Sequence, residues 1–383
     1  VSGISEGAVS AVSLVDSINV LFIQLFSAMA TGGAIVAAQY LGKQSRREAC
    51  CAAKQLLYVA LAIAMALGAV SLFFAQPIIT LCFGQLQPAT MAYACAYLRI
   101  SAISYPALAL YNGGAALLRA MSNSRASMFT ALIMNLMNVA GNALLIYGLK
   151  MEVAGAAIAT SIGQAVSFAV LLLMTSRAGN IPIKPRRFCL NAETAKEIFR
   201  GGVPSLARQG LASLATICLN VAAGGFGDAA VAAMSIVSRI MQICNSAIIG
   251  FGQGFQPVCG FNFGAGLYRR VREAFWFCVK LSAVVLCVIA VIAMIFAPQI
   301  VALFIKDNPD VREIGAVALR MQCVTMPLFA FVIMANMMLQ TIGYAGRATL
   351  VASARQGLFL IPSVFLLSHF FGLTGHELSQ AVS

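Results

Sequence analysis

The chain has 383 residues, of which 61% are hydrophobic and only 10% charged, with a formal net charge of +13. A soluble domain is nearer half apolar and a quarter charged, so this composition excludes an ordinary soluble protein. Two histidines exclude a histidine-rich metal site, and the 11 cysteines, mostly inside apolar runs and without a CxxC pair, read as small buried hydrophobes.

Apolar runs of roughly 20 residues or more, the length a bilayer demands, fall near 8–38, 52–76, 92–118, 127–148, 153–176, 199–223, 230–258, 274–298, 315–341 and 349–371. Gly or Pro interrupts many of them, as membrane helices tolerate. The first run holds Asp16, a carboxylate well inside a helix and therefore a functional candidate. The third holds Asn112, and the fourth Asn135, Asn138 and Asn142. Asn138 and Asn142 are four residues apart and share a face. Thr160, Ser161 and Gln164 follow in the fifth. Amide and hydroxyl oxygens suit a small hard cation. They also bond helix to helix, and the pattern alone leaves both readings open.

The basic stretch 177–198, with Pro182 and Pro185, reads as a linker between bundles at 1–176 and 199–383. Arg208 comes just past Pro204, placed to bind an anionic group or a carbonyl freed by the proline. The next run carries Arg239, then Gly250 and Gly254, then Gln256-Pro257, Gly260, Asn262 and Gly264. The glycine spacing predicts close helix approach, and Pro257 predicts a kink.

Charge tests this segmentation. Lys and Arg crowd alternate connections (Lys43, Arg46 and Arg47; Arg119 and Arg125; Arg269, Arg270 and Arg272) and are sparse in the others. That alternation is an orientation signal, with the basic loops cytoplasmic. Basic residues scattered over short loops argue against nucleic-acid binding. The chain also repeats itself after about 222 residues. Phe74-Ala-Gln-Pro matches Phe296-Ala-Pro-Gln, Pro106 matches Pro327, and Asp16 falls opposite Ser238, beside Arg239. Equivalent loops lie on the same side, so the expected fold is an all-α integral membrane protein. Its two parallel six-helix bundles are related by a pseudo-two-fold about the membrane normal, with ten helices complete in this sequence. The repeat predicts a further helix before Val1 and a twelfth barely begun at Ser383. Asp16 and Arg239 are expected to pair between the halves as a structural ion pair, or Asp16 to serve as a proton or cation site or a gate, or to face an aqueous cavity.

Gly250-Phe-Gly-Gln-Gly-Phe-Gln-Pro-Val-Cys-Gly-Phe-Asn-Phe-Gly264, followed by Arg269-Arg270-Val-Arg272, resembles the second-half signature of the multidrug and toxic compound extrusion transporters. Ala30-Thr-Gly-Gly33 and Gln39-Tyr-Leu-Gly42 resemble the first-half one. The resemblance implies a non-enzymatic, multi-pass antiporter of a bacterial inner membrane. Such a protein exports cationic amphipathic compounds in exchange for Na⁺ or H⁺, with no other cofactor, as a monomer. It implies a cation site at Asn138 and Asn142, with Thr160 and Asn112 as companions. Gly254, Gln256, Pro257, Asn262 and Gly264 are motif positions. The rival from the same superfamily is a flippase for lipid-linked sugars, which would need a strongly cationic cavity.

Overall fold

The computed structural model describes residues 6–84, 86–148, 151–175, 191–224, 228–305 and 308–367, with 370 and 379. Most of the expected linker 177–198 lies outside the described residues. The chain divides into two compact units, Val1–Gly202 and Val203–Ser383.

In the first unit, α1 (Glu6–Gly42) and α2 (Arg46–Phe73) are followed by the short α3 (Ala75–Phe83), then α4 (Pro88–Ala120), α5 (Ser124–Asn142) and α6 (Glu152–Thr175). α7 (Ala192–Gly224) runs from the first unit into the second. The second unit continues with α8 (Asp228–Gly264), α9 (Tyr268–Ile295), the short α10 (Ala297–Ala302), α11 (Pro309–Thr341) and α12 (Ala345–Ser353). Both α5 and α12 continue as a wider π-helical turn, Ala143–Gly148 and Ala354–Leu360. Counting α12 with its π turn, the long helices match the ten apolar runs of the sequence. Eight of them are long and apolar enough to cross a membrane; α4 and α7 are as long but more polar.

The repeat extends to the details of each helix. α1 and α8 are both 37 residues, α2 and α9 both 28, α4 and α11 both 33. α2 and α9 break at equivalent residues, Phe74 and Phe296, before the short helices. Pro106 sits inside α4 and Pro327 inside α11, each helix continuing through its proline. The turns after α1 and α8 use left-handed residues at matching places, Gln44 (φ 60°) and Gly266 (φ 73°). Those after α4 and α11 use Ser122 (φ 62°) and Gly343 (φ 91°).

α4 is the centre of the first unit, packed on α1, α2, α5 and α6; α11 is the centre of the second, packed on α8, α9 and α12. Lipid tails are as apolar as leucine, so close fit rather than water exclusion holds such helices together. Small residues supply that fit. A Cβ on Gly114 of α4 would lie 2.3 Å from a methyl of Leu171 in α6, and one on Gly252 of α8 would lie 2.2 Å from Met337 Sδ in α11. The expected close approach at Gly250 and Gly254 is corrected here. A Cβ on either would meet nothing outside its own helix backbone within 4 Å among the described residues, because the packed face of α8 passes through Gly252 between them. The outer faces stay apolar, as in Val284, Val288, Ile292 and Ile295 of α9, all more than half exposed.

Candidate functional site

The polar cluster of the first unit is built by close contact between α5 and α6. A Cβ on Gly141 would lie 3.0 Å from that of Ala159, and one on Gly163 3.4 Å from Met134 O. That proximity brings Asn138 and Thr160 together. Asn138 Nδ2 donates to Thr160 Oγ1 at 2.9 Å, and Asn142 Nδ2 donates to Asn138 Oδ1 at 3.0 Å. Thr160 in turn donates to Ala156 O on its own helix at 3.0 Å. The chain of donors thus runs one way, and it leaves acceptors over. Asn142 Oδ1 is buried without a hydrogen-bond partner among the described residues, as is Gln164 Oε1 one turn beyond Thr160.

Immediately after Asn142 the helix widens into the π turn Ala143–Gly148. π turns within α-helices recur at functional sites, because they re-aim side chains and loosen the ladder. Gly155 of α6 backs this turn, with room for a Cβ only 3.2 Å from the Leu145 backbone.

Asn112 stands apart from this cluster. Its amide donates to Leu108 O of α4 at 3.1 Å. Asn135 points to the exposed side of α5. Ser161 donates to Ala157 O of its own helix at 2.8 Å.

Asp16 lies on the exposed side of α1, near the buried Tyr97 of α4. Below it is a buried network absent from the expectations. Tyr105 Oη donates to Asn19 Oδ1 at 2.7 Å, and Asn19 Nδ2 donates to Ser101 Oγ at 3.4 Å. Phe22 and Phe26 pack their rings around Tyr105, with centroids at 5.3 and 6.2 Å. A single asparagine in an apolar run gives little signal. Only the tyrosine on another helix shows what it is for.

In the second unit, Arg239 is exposed on α8. Arg208 is different: its Nε and Nη1 are buried and have no hydrogen-bond partner among the described residues. Gln256, read from the sequence as a motif position, is a buried strut. Its Nε2 donates to Gln340 Oε1 at 3.2 Å, and Gln340 Nε2 donates to Ser205 Oγ at 2.8 Å, tying α8, α11 and α7. Asn336 Nδ2 donates to Ala348 O at 2.5 Å, tying α11 to α12. Pro257 sits inside α8, which runs on to end at Gly264. Asn262 donates to Val258 O at 2.8 Å in its last turns. Gly254 faces open space.

Among the described residues, the first unit thus leaves the Asn142 and Gln164 amide oxygens without hydrogen-bond partners, and the second leaves the Arg208 N–H groups together with the Gln322 and Asn336 amide oxygens. Neither holds a nucleophile–base pair of the kind covalent catalysis needs among the groups described above.

The MatE family model matches residues 1–144 and 204–366. Multidrug export protein MepA of Staphylococcus haemolyticus is 25% identical over 374 residues, covering 96% of this chain and 80% of that protein. A crystal structure of MATE in complex with MaL6 superposes with a TM-score of 0.94 at 22% identity, over 100% of this chain and 86% of that one. An outward-facing conformation of a multidrug resistance MATE family transporter of the MOP superfamily superposes with a TM-score of 0.92 at 22% identity, with the same coverage.

Proposed function

Since the chain belongs to the MatE family of multi-pass membrane transporters, we propose that it exports cationic amphipathic compounds by alternating access, in exchange for an entering cation that is held at Asn138, Asn142 and Thr160. The observation that carries the coupling half of this reading is the buried Oδ1 of Asn142, which has no hydrogen-bond partner among the described residues and ends a one-way chain of amide donors. Such an oxygen costs free energy until something accepts it as a ligand. Na⁺ fits, because hard cations take amide and hydroxyl oxygens. A proton does not, because neither Asn nor Thr titrates. The residues present thus favour Na⁺ over H⁺ at this place.

The same contacts give the ion a mechanical handle. To turn more oxygens toward a cation, Asn138 must give up the bonds it makes to Thr160 and Asn142. The α5–α6 seam then repacks next to the π turn after Asn142. A repacked seam is a second state of the first unit, and the ion favours it by whatever it gains there. Coupling needs only a few kcal/mol of differential affinity between the two states. The relatives named as multidrug exporters support the substrate half of the reading. The flippase alternative rests on Arg208, half-buried with its Nε and Nη1 covered, and on the exposed Arg239, and no further observation favours it.

The test is efflux from proteoliposomes under separate Na⁺ and H⁺ gradients. An imposed Na⁺ gradient is expected to drive ethidium transport, and Asn138→Ala or Asn142→Ala to remove that dependence by tenfold or more in Na⁺ concentration, about 1.4 kcal/mol of site affinity. Transport that ignores Na⁺ would sink the coupling site.

A further inference from the structure

A membrane helix that faces lipid turns apolar side chains outward, while polar faces turn toward protein or water. α1 has a polar face on its open side. Spacings of three and four keep residues on one side of a helix. At those spacings Ser10, Ser13, Ser17, Gln24, Ser27 and Thr31 form one stripe, interrupted only by Val20. The first three are exposed and the last three half-buried. Ala11, Val15, Ile18 and Phe26, on the other side, fill the core of the first unit. The first half of the stripe, with Asp16, is therefore left over after α1 has packed, while beyond Ser17 the stripe is half-covered and borders the exposed Val20, Leu21 and Ile23.

Ser17 and Thr31 donate to Ser13 O and Ser27 O of their own helix, at 3.2 and 2.9 Å. Each hydroxyl keeps its lone pairs for water. Asp16 flanks the stripe next to Ser17, exposed and near the buried Tyr97. The repeat makes accident a poor explanation. At the seven equivalent positions α8 carries Ala232, Ser235, Arg239, Gln242, Ser246, Ile249 and Gln253, five of them polar, with Arg239, Gln242 and Ser246 exposed. Only the first unit places a carboxylate beside its stripe; Ser238 stands where Asp16 would be.

The geometry points to a use for this face: the polar stripe of α1 lines a water-filled path, and Asp16 is the carboxylate that receives the positive group of the exported compound. This rests on the export reading above. A carboxylate within a membrane span is costly unless water or a cation meets it, and an aqueous path with a passing cation supplies both. The amide cluster on α5 and α6 suits a small ion that sheds its water. A quaternary ammonium or phosphonium cannot be coordinated that way. It needs a full negative charge and a hydroxyl-lined surface that does not grip.

The experiment has two arms, both on the membrane-embedded chain. In the first, Ser13→Cys, Ser17→Cys and Gln24→Cys are treated with a membrane-impermeant thiol reagent, and labelling is read above that of the parent. Val288→Cys on the lipid face of α9 is the control. Labelling of the stripe but not of the control is expected, with Ser17→Cys slowed by tetraphenylphosphonium. In the second, tetraphenylphosphonium efflux is measured for the parent, Asp16→Asn and Asp16→Glu at matched abundance. Asp16→Asn is expected to raise KM about tenfold with little change in maximal rate, and Asp16→Glu to restore most of it. A stripe no more reactive than the control overturns the path. An exporting parent whose KM is unchanged in Asp16→Asn overturns the role of Asp16 while leaving export intact. A parent that neither exports tetraphenylphosphonium nor has its labelling slowed by it overturns that role together with the export reading.

Discussion

Asn142 ends a chain of hydrogen bonds with an oxygen to spare, and what that oxygen does separates a packing role from a binding role. If the cluster only glued α5 to α6, removing one amide would cost about 0.6 kcal/mol and little else. If the oxygen binds Na⁺, Asn142→Ala leaves the fold almost unchanged but abolishes Na⁺-dependent efflux, a split that thermal melting and transport assays on one preparation will show. Asn142→Asp is the more telling variant. A carboxylate there adds charge for Na⁺ but also a site for a proton. Na⁺ is then opposed by H⁺, so efflux falls as pH drops in the variant and less so in the parent. The sequence made the Asn138–Asn142 pair legible, since i, i+4 spacing is a property of the helix alone. It could not place Asn112, because whether that amide turns to α5 or back to Leu108 depends on side-chain rotation. Nor could it find Asn19, whose partner Tyr105 lies 86 residues away.

The helices themselves were legible to within a few residues, because a bilayer fixes their length and the repeat fixes their breaks. What escaped was anything decided by which side of a helix packs. Gly250 and Gly254 have the spacing of a packing motif, yet the contact runs through Gly252. Gly252→Val is therefore expected to cost the second unit its fold, seen as loss of monodisperse protein in detergent, whereas Gly254→Val leaves it folded. The turns carry a second consequence of the repeat. Gln44 and Ser122 hold left-handed backbone that the other half assigns to glycine. A left-handed residue with a Cβ costs roughly 1–2 kcal/mol, part of which glycine gives back through its greater freedom when unfolded. Gln44→Gly and Ser122→Gly should each raise the melting temperature slightly without touching transport; a fall would mean that their side chains hold the turns.

At the scale of the molecule, two units with one architecture carry different polar chemistry. The first has amides at Asn138, Asn142 and Gln164 and a carboxylate at Asp16; the second has amide oxygens at Gln322 and Asn336, but adds Arg208, Arg239 and the Gln256–Gln340–Ser205 strut. A duplicated fold supplies two bodies of one architecture, and the proposed alternating access would use both, with the proposed cation site in the first alone. That asymmetry was visible in the sequence as unlike residues at matching positions. Its direction was not, since an amide reads the same whether its oxygen is spent or free. The decisive measurement is ethidium efflux from proteoliposomes, driven by an imposed Na⁺ gradient at equal pH on both sides. A Na⁺ site at Asn142 predicts uphill ethidium movement that collapses when the gradient is abolished and is absent in Asn142→Ala. Uphill movement of the same size in Asn142→Ala, or movement driven only by a proton gradient, would contradict it.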